Sequence, residues 1–169
     1  MEAHVKLYSL SYRDLRTYSV AALFAVGNIV FPQLCHLVPQ GGLILLPIYF
    51  FTLIAAYKYG WRAGLLTAVL SPLANHLLFG MPALPMLPII LIKSVLLATI
   101  AGVVAGKVKR VSLLSVLLVV AGYQLIGGIA EWAMTGSLMA AVQDVRLGFP
   151  GILLQIFGGY AVLRFLLKK

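Results

Sequence analysis

Six apolar runs separated by short polar breaks leave this chain few folds to choose from. They occupy about Thr17–Leu34, Leu43–Tyr57, Ala63–Phe79, Pro85–Gly106, Val111–Ala130 and Phe149–Leu167. Each is near the length that a helix needs to cross roughly 30 Å of hydrocarbon, the second and third being the shortest. The 169 residues are 62% hydrophobic and 10% charged, more apolar surface than one soluble core of this size could hide. The expectation is an all-α integral membrane protein of six transmembrane helices. A polar segment over 1–16 precedes a single transmembrane domain over 17–169.

The charges fix an orientation. Lys6, Arg13 and Arg16 precede the first run, and Lys58 and Arg62 separate the second from the third. Lys107, Lys109 and Arg110 separate the fourth from the fifth, and Arg164, Lys168 and Lys169 close the chain. Eleven of the thirteen basic residues thus fall on one side, leaving Lys93 and Arg146. With both termini cytoplasmic, every loop obeys the positive-inside rule. That pattern explains the net charge of +9 better than nucleic acid does, since no basic face alternates with aromatics. The opening "MEAHVKLYSLSYRDLR" is too polar and too long for the basic region of a signal peptide, so the first apolar run is expected to be retained as a span. In "FPQLC" Pro32 stands where a lipoprotein box would carry leucine. The single cysteine, Cys35, excludes an intrachain disulfide and a multi-cysteine metal cage.

One charge falls inside a span. In "PMLPIILIKSVLLATIAG" the ammonium of Lys93 lies roughly 12 Å below the outer helix end, at about 1.5 Å per residue from Pro85. A charge at that depth is costly and by default marks a pathway, a site or an ion pair. Two readings stand: a structural pair with Glu131, at the outer end of the fifth run, or a cation facing a ligand in an outward-open cavity among the third to sixth helices. The fifth run carries Gln124, Gly127, Gly128 and Glu131 at i, i+3, i+4 and i+7, one stripe of small and polar residues, with Tyr123 flanking it and Trp132 above. Such a stripe suits either a polar pocket or close helix packing. The third run ends in "SPLANHLLFGMP", which places Asn75 and His76 near the outer surface with His36.

Two histidines and Cys35 could converge there, but no internal spacing marks a metal site and none is expected; an axial ligand to a metal held in a bound cofactor stays open. No cofactor and no catalytic residue is expected. "GVVAGKV" is one residue short of a phosphate loop, with valine where Ser or Thr belongs, and Ala98, Gly102 and Gly106 read instead as a close-packing ladder.

These features together resemble a family. Six short helices, both termini inside, fewer than 200 residues and a polar outer half resemble the substrate-binding S components of energy-coupling factor (ECF) transporters. "AALFA", with Ala21-x-x-x-Ala25, is similar to the alanine motif with which many S components dock on their coupling subunit. "YGWRAGLLTAVLSPLANHLLFGMP" is similar to the family's connection between the second and third helices. The resemblance implies a binding subunit, not an enzyme, for a vitamin or related micronutrient in a bacterial or archaeal cytoplasmic membrane. It implies a transmembrane coupling subunit and two ATPase subunits as partners, with Ala21 and Ala25 at the interface. Pocket residues do not carry over by identity. Lys93, Glu131, Gln124, Asn75, His76, Tyr123 and His36 are chosen from chemistry alone, and the substrate stays open among corrinoid, pteridine, flavin and pantothenate-like acid. Two other classes remain: a small membrane enzyme using Lys93, Glu131 and a histidine, and a structural protein whose glycine faces bind other helices.

Overall fold

In a computed structural model, residues 7–167 are described. They form helices and connections only, with no strand among the described residues. The helices are α1 (Leu15–Cys35), α2 (Gly41–Leu45), a 3₁₀ turn at Pro47–Tyr49, α3 (Phe50–Tyr59), α4 (Trp61–Phe79), α5 (Leu87–Val108), α6 (Leu113–Thr135), α7 (Leu138–Ala141), α8 (Gln143–Arg146) and α9 (Phe149–Leu153). A π-helical turn, Leu154–Gly158, then joins α9 to α10 (Gly159–Leu167).

Four of the helical stretches are long and apolar enough to cross a membrane: Leu15–Cys35, Leu87–Val108, Leu113–Thr135 and Phe149–Leu166. The chain is therefore an all-helical membrane protein with several spans. Their outward faces carry exposed side chains such as Leu23, Val26, Leu118, Leu125 and Ile129, the surface expected where lipid replaces water as solvent.

The second and third predicted spans differ from the other four. Leu43–Tyr57 is not one helix. Leu46 adopts a left-handed conformation (φ 46°, ψ 46°) and Pro47 follows it. The proline ring disfavours helical backbone in the residue before it and removes an N–H, so α2 stops and α3 starts afresh. The resulting α3 is only ten residues long, yet Phe50 and every residue from Thr52 to Lys58 are buried. It forms the axis of the bundle, touching α1, α4, α5 and α10, while α1, α4, α5 and α6 pack side by side around it. α4 has nineteen residues, but Thr67, Ser71 and Asn75 lie on its buried face, so its polarity is spent inside the bundle.

Close helix approach sets this core. A Cβ at Gly64 would lie 2.4 Å from the Ala56 Cβ, which holds α4 against α3, and one at Gly102 would lie 2.4 Å from the Trp61 Cβ. Gly60, at φ 98°, makes the sharp reversal from α3 into α4. Gly106 has open space around it, so the Ala98–Gly102–Gly106 ladder closes only over its first two members.

The two ends of the bundle are built differently. Arg13, Arg16, Lys58, Arg62, Lys107, Lys109, Arg110 and Arg164 lie at or near the end formed by the start of α1, the α3–α4 turn and the C-termini of α5 and α10. Lys6, Lys168 and Lys169, which contribute to the same charge pattern, lie outside the described residues. At this basic end residues 7–10 lie along the end of α3, Tyr8 N–H donating to the Lys58 carbonyl (2.8 Å) and Leu10 N–H to the Tyr59 carbonyl (3.2 Å). Tyr8 stacks on Tyr59, with the Arg16 guanidinium 4.7 Å from the Tyr8 ring centre. Lys58 donates to the Leu166 carbonyl (2.6 Å), occupying an orphan acceptor at the end of α10. The far end is hollow.

Candidate functional site

A cavity of about 530 Å³ occupies the far end. Its walls are the last turn of α1, the α1–α2 connection, α2 itself, Asn75 of α4, the 81–83 loop and the first turns of α5. The polar side chains facing it are Gln33, His36, Gln40 and Asn75; the remaining lining is proline, glycine and aliphatic or thioether side chains, among them Leu43, Ile48, Met81, Met86 and Ile90. Among the described residues, no Asp, Glu, Lys or Arg lines it. A largely apolar hollow with a few convergent polar groups has the general make-up of a small-molecule site.

Local backbone chemistry shapes these walls. Gly80, at φ 68°, ends α4 and sends the chain outward. His76 then ties the loop down: its Nδ1–H donates to the Pro82 carbonyl at 2.8 Å. His76 is therefore a loop anchor and is not part of the lining. His36 packs over the start of α2, where a Cβ at Gly42 would meet its Nε2 at 2.6 Å.

Behind the cavity lies a neutral hydrogen-bond network. Asn28 Nδ2 donates to Thr52 Oγ1 (2.9 Å) and Ser71 Oγ (3.1 Å), and its Oδ1 accepts from the Phe51 N–H (3.1 Å). Ser71 donates to the Thr67 carbonyl, and Asn75 Nδ2 donates to the Asn28 and Ser71 carbonyls, both at 2.9 Å. At the cavity surface Gln33 Nε2 reaches Asn75 Oδ1 at 3.5 Å. The network joins α1, α3 and α4 and presents only its last members, Gln33 and Asn75, to the cavity. Sequence reasoning named Asn75 but missed Asn28, Thr52 and Gln33. The signal for Asn28 was an amide well inside the first apolar run, away from its ends.

Lys93 lies elsewhere. It is 2% exposed, and its Nζ donates to Glu131 Oε2 at 2.5 Å and Asp144 Oδ2 at 2.8 Å. The pair with Glu131 is the structural pairing anticipated from sequence; Asp144 is an addition from α8. Gly127 makes room for the lysine stem, since a Cβ there would sit 2.7 Å from Lys93 Cγ. Gly128 faces the Ala141 carbonyl. The small-residue stripe of α6 is thus a packing surface filled by Lys93 and α7. Neither Lys93 nor Glu131 lines the cavity, and the expectation that Lys93 faces it is corrected on that point. A lysine with two carboxylates in reach has its charge satisfied inside the fold.

Tyr123 and Gln124 belong to a third buried group. Tyr123 is fully buried, donates to Gln155 Oε1 (2.7 Å), accepts from Gln124 Nε2 (2.9 Å) and packs against Tyr49 with ring centres 5.5 Å apart. Gln155 lies in the π-helical turn, and its Nε2 has no partner among the described residues. Of the seven predicted binding residues, the cavity gathers His36 and Asn75; Lys93 and Glu131 form one cluster, Tyr123 and Gln124 another, and His76 holds the rim.

Ala21 and Ala25 are 1% and 7% exposed. They continue the buried stripe Thr17, Ala21, Ala25, Asn28, and the Ala21 carbonyl accepts from Thr67 Oγ1 (3.5 Å). The motif expected at a partner interface is thus spent on packing α1 against α4. No group of His, Cys, Asp and Glu able to hold a metal occurs among the described residues. Models of known protein families, curated proteins and solved structures yield no match to this chain.

Proposed function

We propose that this protein is a membrane-embedded binding subunit for the uptake of a small nutrient, of the kind its sequence resembles among ECF transporters. On this reading the chain crosses a bacterial or archaeal cytoplasmic membrane six times with both termini inside. The broken second segment and α4 cross as members of the bundle interior and not as lipid-facing helices. The observation that carries the proposal is the cavity of about 530 Å³ at the end opposite the cluster of basic residues. Under the positive-inside rule that end faces outward, where a scavenging subunit must meet its ligand. Energy would come from two ATPase subunits through a transmembrane coupling subunit. With Ala21 and Ala25 buried, the exposed face of α1 around Tyr18, Ala22 and Val26 is the surface left for that partner.

The lining also narrows the ligand. A carboxylate or phosphate taken out of water needs a counter-charge, and among the described residues no Lys or Arg lines the cavity wall. The fitting ligand is a vitamin-sized, uncharged molecule with an apolar body and one edge able to exchange hydrogen bonds with Gln33, His36 and Asn75.

Native mass spectrometry of the detergent-purified chain tests the reading. A retained vitamin-sized mass, lost in a Gln33→Ala, His36→Ala double variant that still folds, would support it. A clean apo mass, together with no thermal shift across a panel of vitamins, would overturn it.

A further inference from the structure

The Lys93 cluster and the cavity share no lining residue, yet the backbone connects them. Lys93 and Glu131 belong to α5 and α6, two long helices of the bundle wall. Asp144 belongs to a four-residue helix in the 136–148 connection, and its side chain is 16% exposed against 2% for Lys93. Lys93 is thus a fixed post to which the connection is tied. Four residues on, Gly148 carries the tie onward: a Cβ there would lie 2.5 Å from the Asp144 carbonyl oxygen and 2.7 Å from Leu46 Cδ1. One turn further, a Cβ at Gly151 would lie 2.4 Å from the Leu45 carbonyl carbon and 2.9 Å from the Ile44 carbonyl oxygen. These glycines press the start of α9 onto the last turn of α2. The first turn of α2, Gly41 to Leu43, is cavity wall.

We infer that Lys93, held by Glu131, acts through Asp144 as a latch that positions α2 and thereby sets how closed the cavity is. In this role Lys93 is a positioning residue that never touches the ligand. Three features favour a latch over inert packing. Asp144 is the most exposed member of the cluster, so its bond can be exchanged for water at least cost. Glu131 keeps the ammonium paired when Asp144 leaves, so release strands no buried cation. And α2 is bounded by two non-glycine residues in left-handed backbone, Gln40 (φ 57°) and Leu46 (φ 46°), so it is a separate five-residue helix and not a continuation of α1 or α3. The consequence for binding rests on the reading of the cavity as a ligand site; the coupling itself does not.

Hydrogen–deuterium exchange on the full chain, purified in detergent with no ligand added, separates the two. Asp144→Asn keeps the shape and removes the charge. We expect exchange in peptides covering 38–48 to rise about tenfold, the change in opening expected when a charge-assisted hydrogen bond is lost, with the middle of α5 and α6 unchanged. Asp144→Glu should restore most of the protection. In a Leu46→Ala background, where the Gly148 contact is lost and only the Gly151 contact with the Leu45 backbone remains, Asp144→Asn should add less over 38–48 than it does in the parent. Acceleration confined to 136–148, or spread evenly over all helices, would overturn the latch. Because no ligand enters the measurement, a cavity that binds nothing leaves this result standing. A failed coupling, in turn, leaves ligand retention to be decided by mass spectrometry.

Discussion

Two of the polar clusters inside this bundle, the Asn28 network and the Lys93 cluster, solve the problem of burial in opposite ways. The Asn28–Thr52–Ser71–Asn75 network is neutral, spreads its hydrogen bonds over three helices and opens onto the cavity at Asn75. The Lys93–Glu131–Asp144 cluster is charged, compact and closed to the cavity. A neutral amide can offer a hydrogen bond to a ligand without the desolvation cost of a charge. A buried ammonium must be paired before any ligand arrives, and once paired has little to offer. The charge that stands out most in the sequence is therefore the one least available for binding.

The comparison is broken most sharply at Lys93. Lys93→Ala leaves two carboxylates facing each other beside a void, and removing one partner of a buried pair costs about 3–5 kcal/mol. We expect a large fall in thermal stability in detergent. The combined variant Lys93→Met, Glu131→Gln, Asp144→Asn, which removes the charges together, should recover much of that loss. Were Lys93→Ala as stable as the parent but unable to retain a ligand, Lys93 would be a ligand contact and the division drawn here would fail.

The neutral network should yield less. Asn28→Leu leaves the Phe51 N–H without its acceptor and takes the donor from Thr52 and Ser71, about 2–3 kcal/mol in all by the usual cost of stranded polar groups. Because those groups sit behind the cavity, the same variant should also weaken ligand retention, whereas a loss of stability with retention intact would detach the network from the site. A wedge tests the link between the regions. Gly151→Val drives a side chain into the Leu45 backbone and should cost about 1–3 kcal/mol as overpacking does. Exchange should rise over 38–48 while the Lys93 cluster stays protected.

The sequence made the spans legible because lipid demands long apolar runs: the predicted Thr17–Leu34, Pro85–Gly106 and Val111–Ala130 match α1, α5 and α6 within a few residues. The break at Leu46 was written in Pro47 but hidden in a run whose hydropathy never falls. Lys93 with Glu131 could be paired from depth alone. Asp144 could not, because it reaches the lysine from an irregular connection whose path no periodicity encodes. Ala21-x-x-x-Ala25 was read as a docking face for a partner subunit, and in the structure both alanines are buried with α4 of the same chain against them. The cavity was the least legible feature, since its walls come from 32–48, Asn75 and 81–90, segments brought together only by the packing of α1, α4 and α5.

The smallest effect on stability belongs to His36, and for that reason it gives the cleanest reading of the cavity. His36 is exposed, makes its close contact with a glycine and holds no buried partner, so His36→Ala should change stability by less than about 0.5 kcal/mol. If the cavity is the binding site, the same change should still reduce ligand retention about tenfold, the share expected of one hydrogen bond at a desolvated edge. Stability and binding would then separate completely at His36, whereas at Lys93 they would not. Loss of both at His36 would mean that the ring is holding α2 in place rather than meeting a ligand. Loss of neither would move the ligand edge to Gln33 and Asn75, where the neutral network ends.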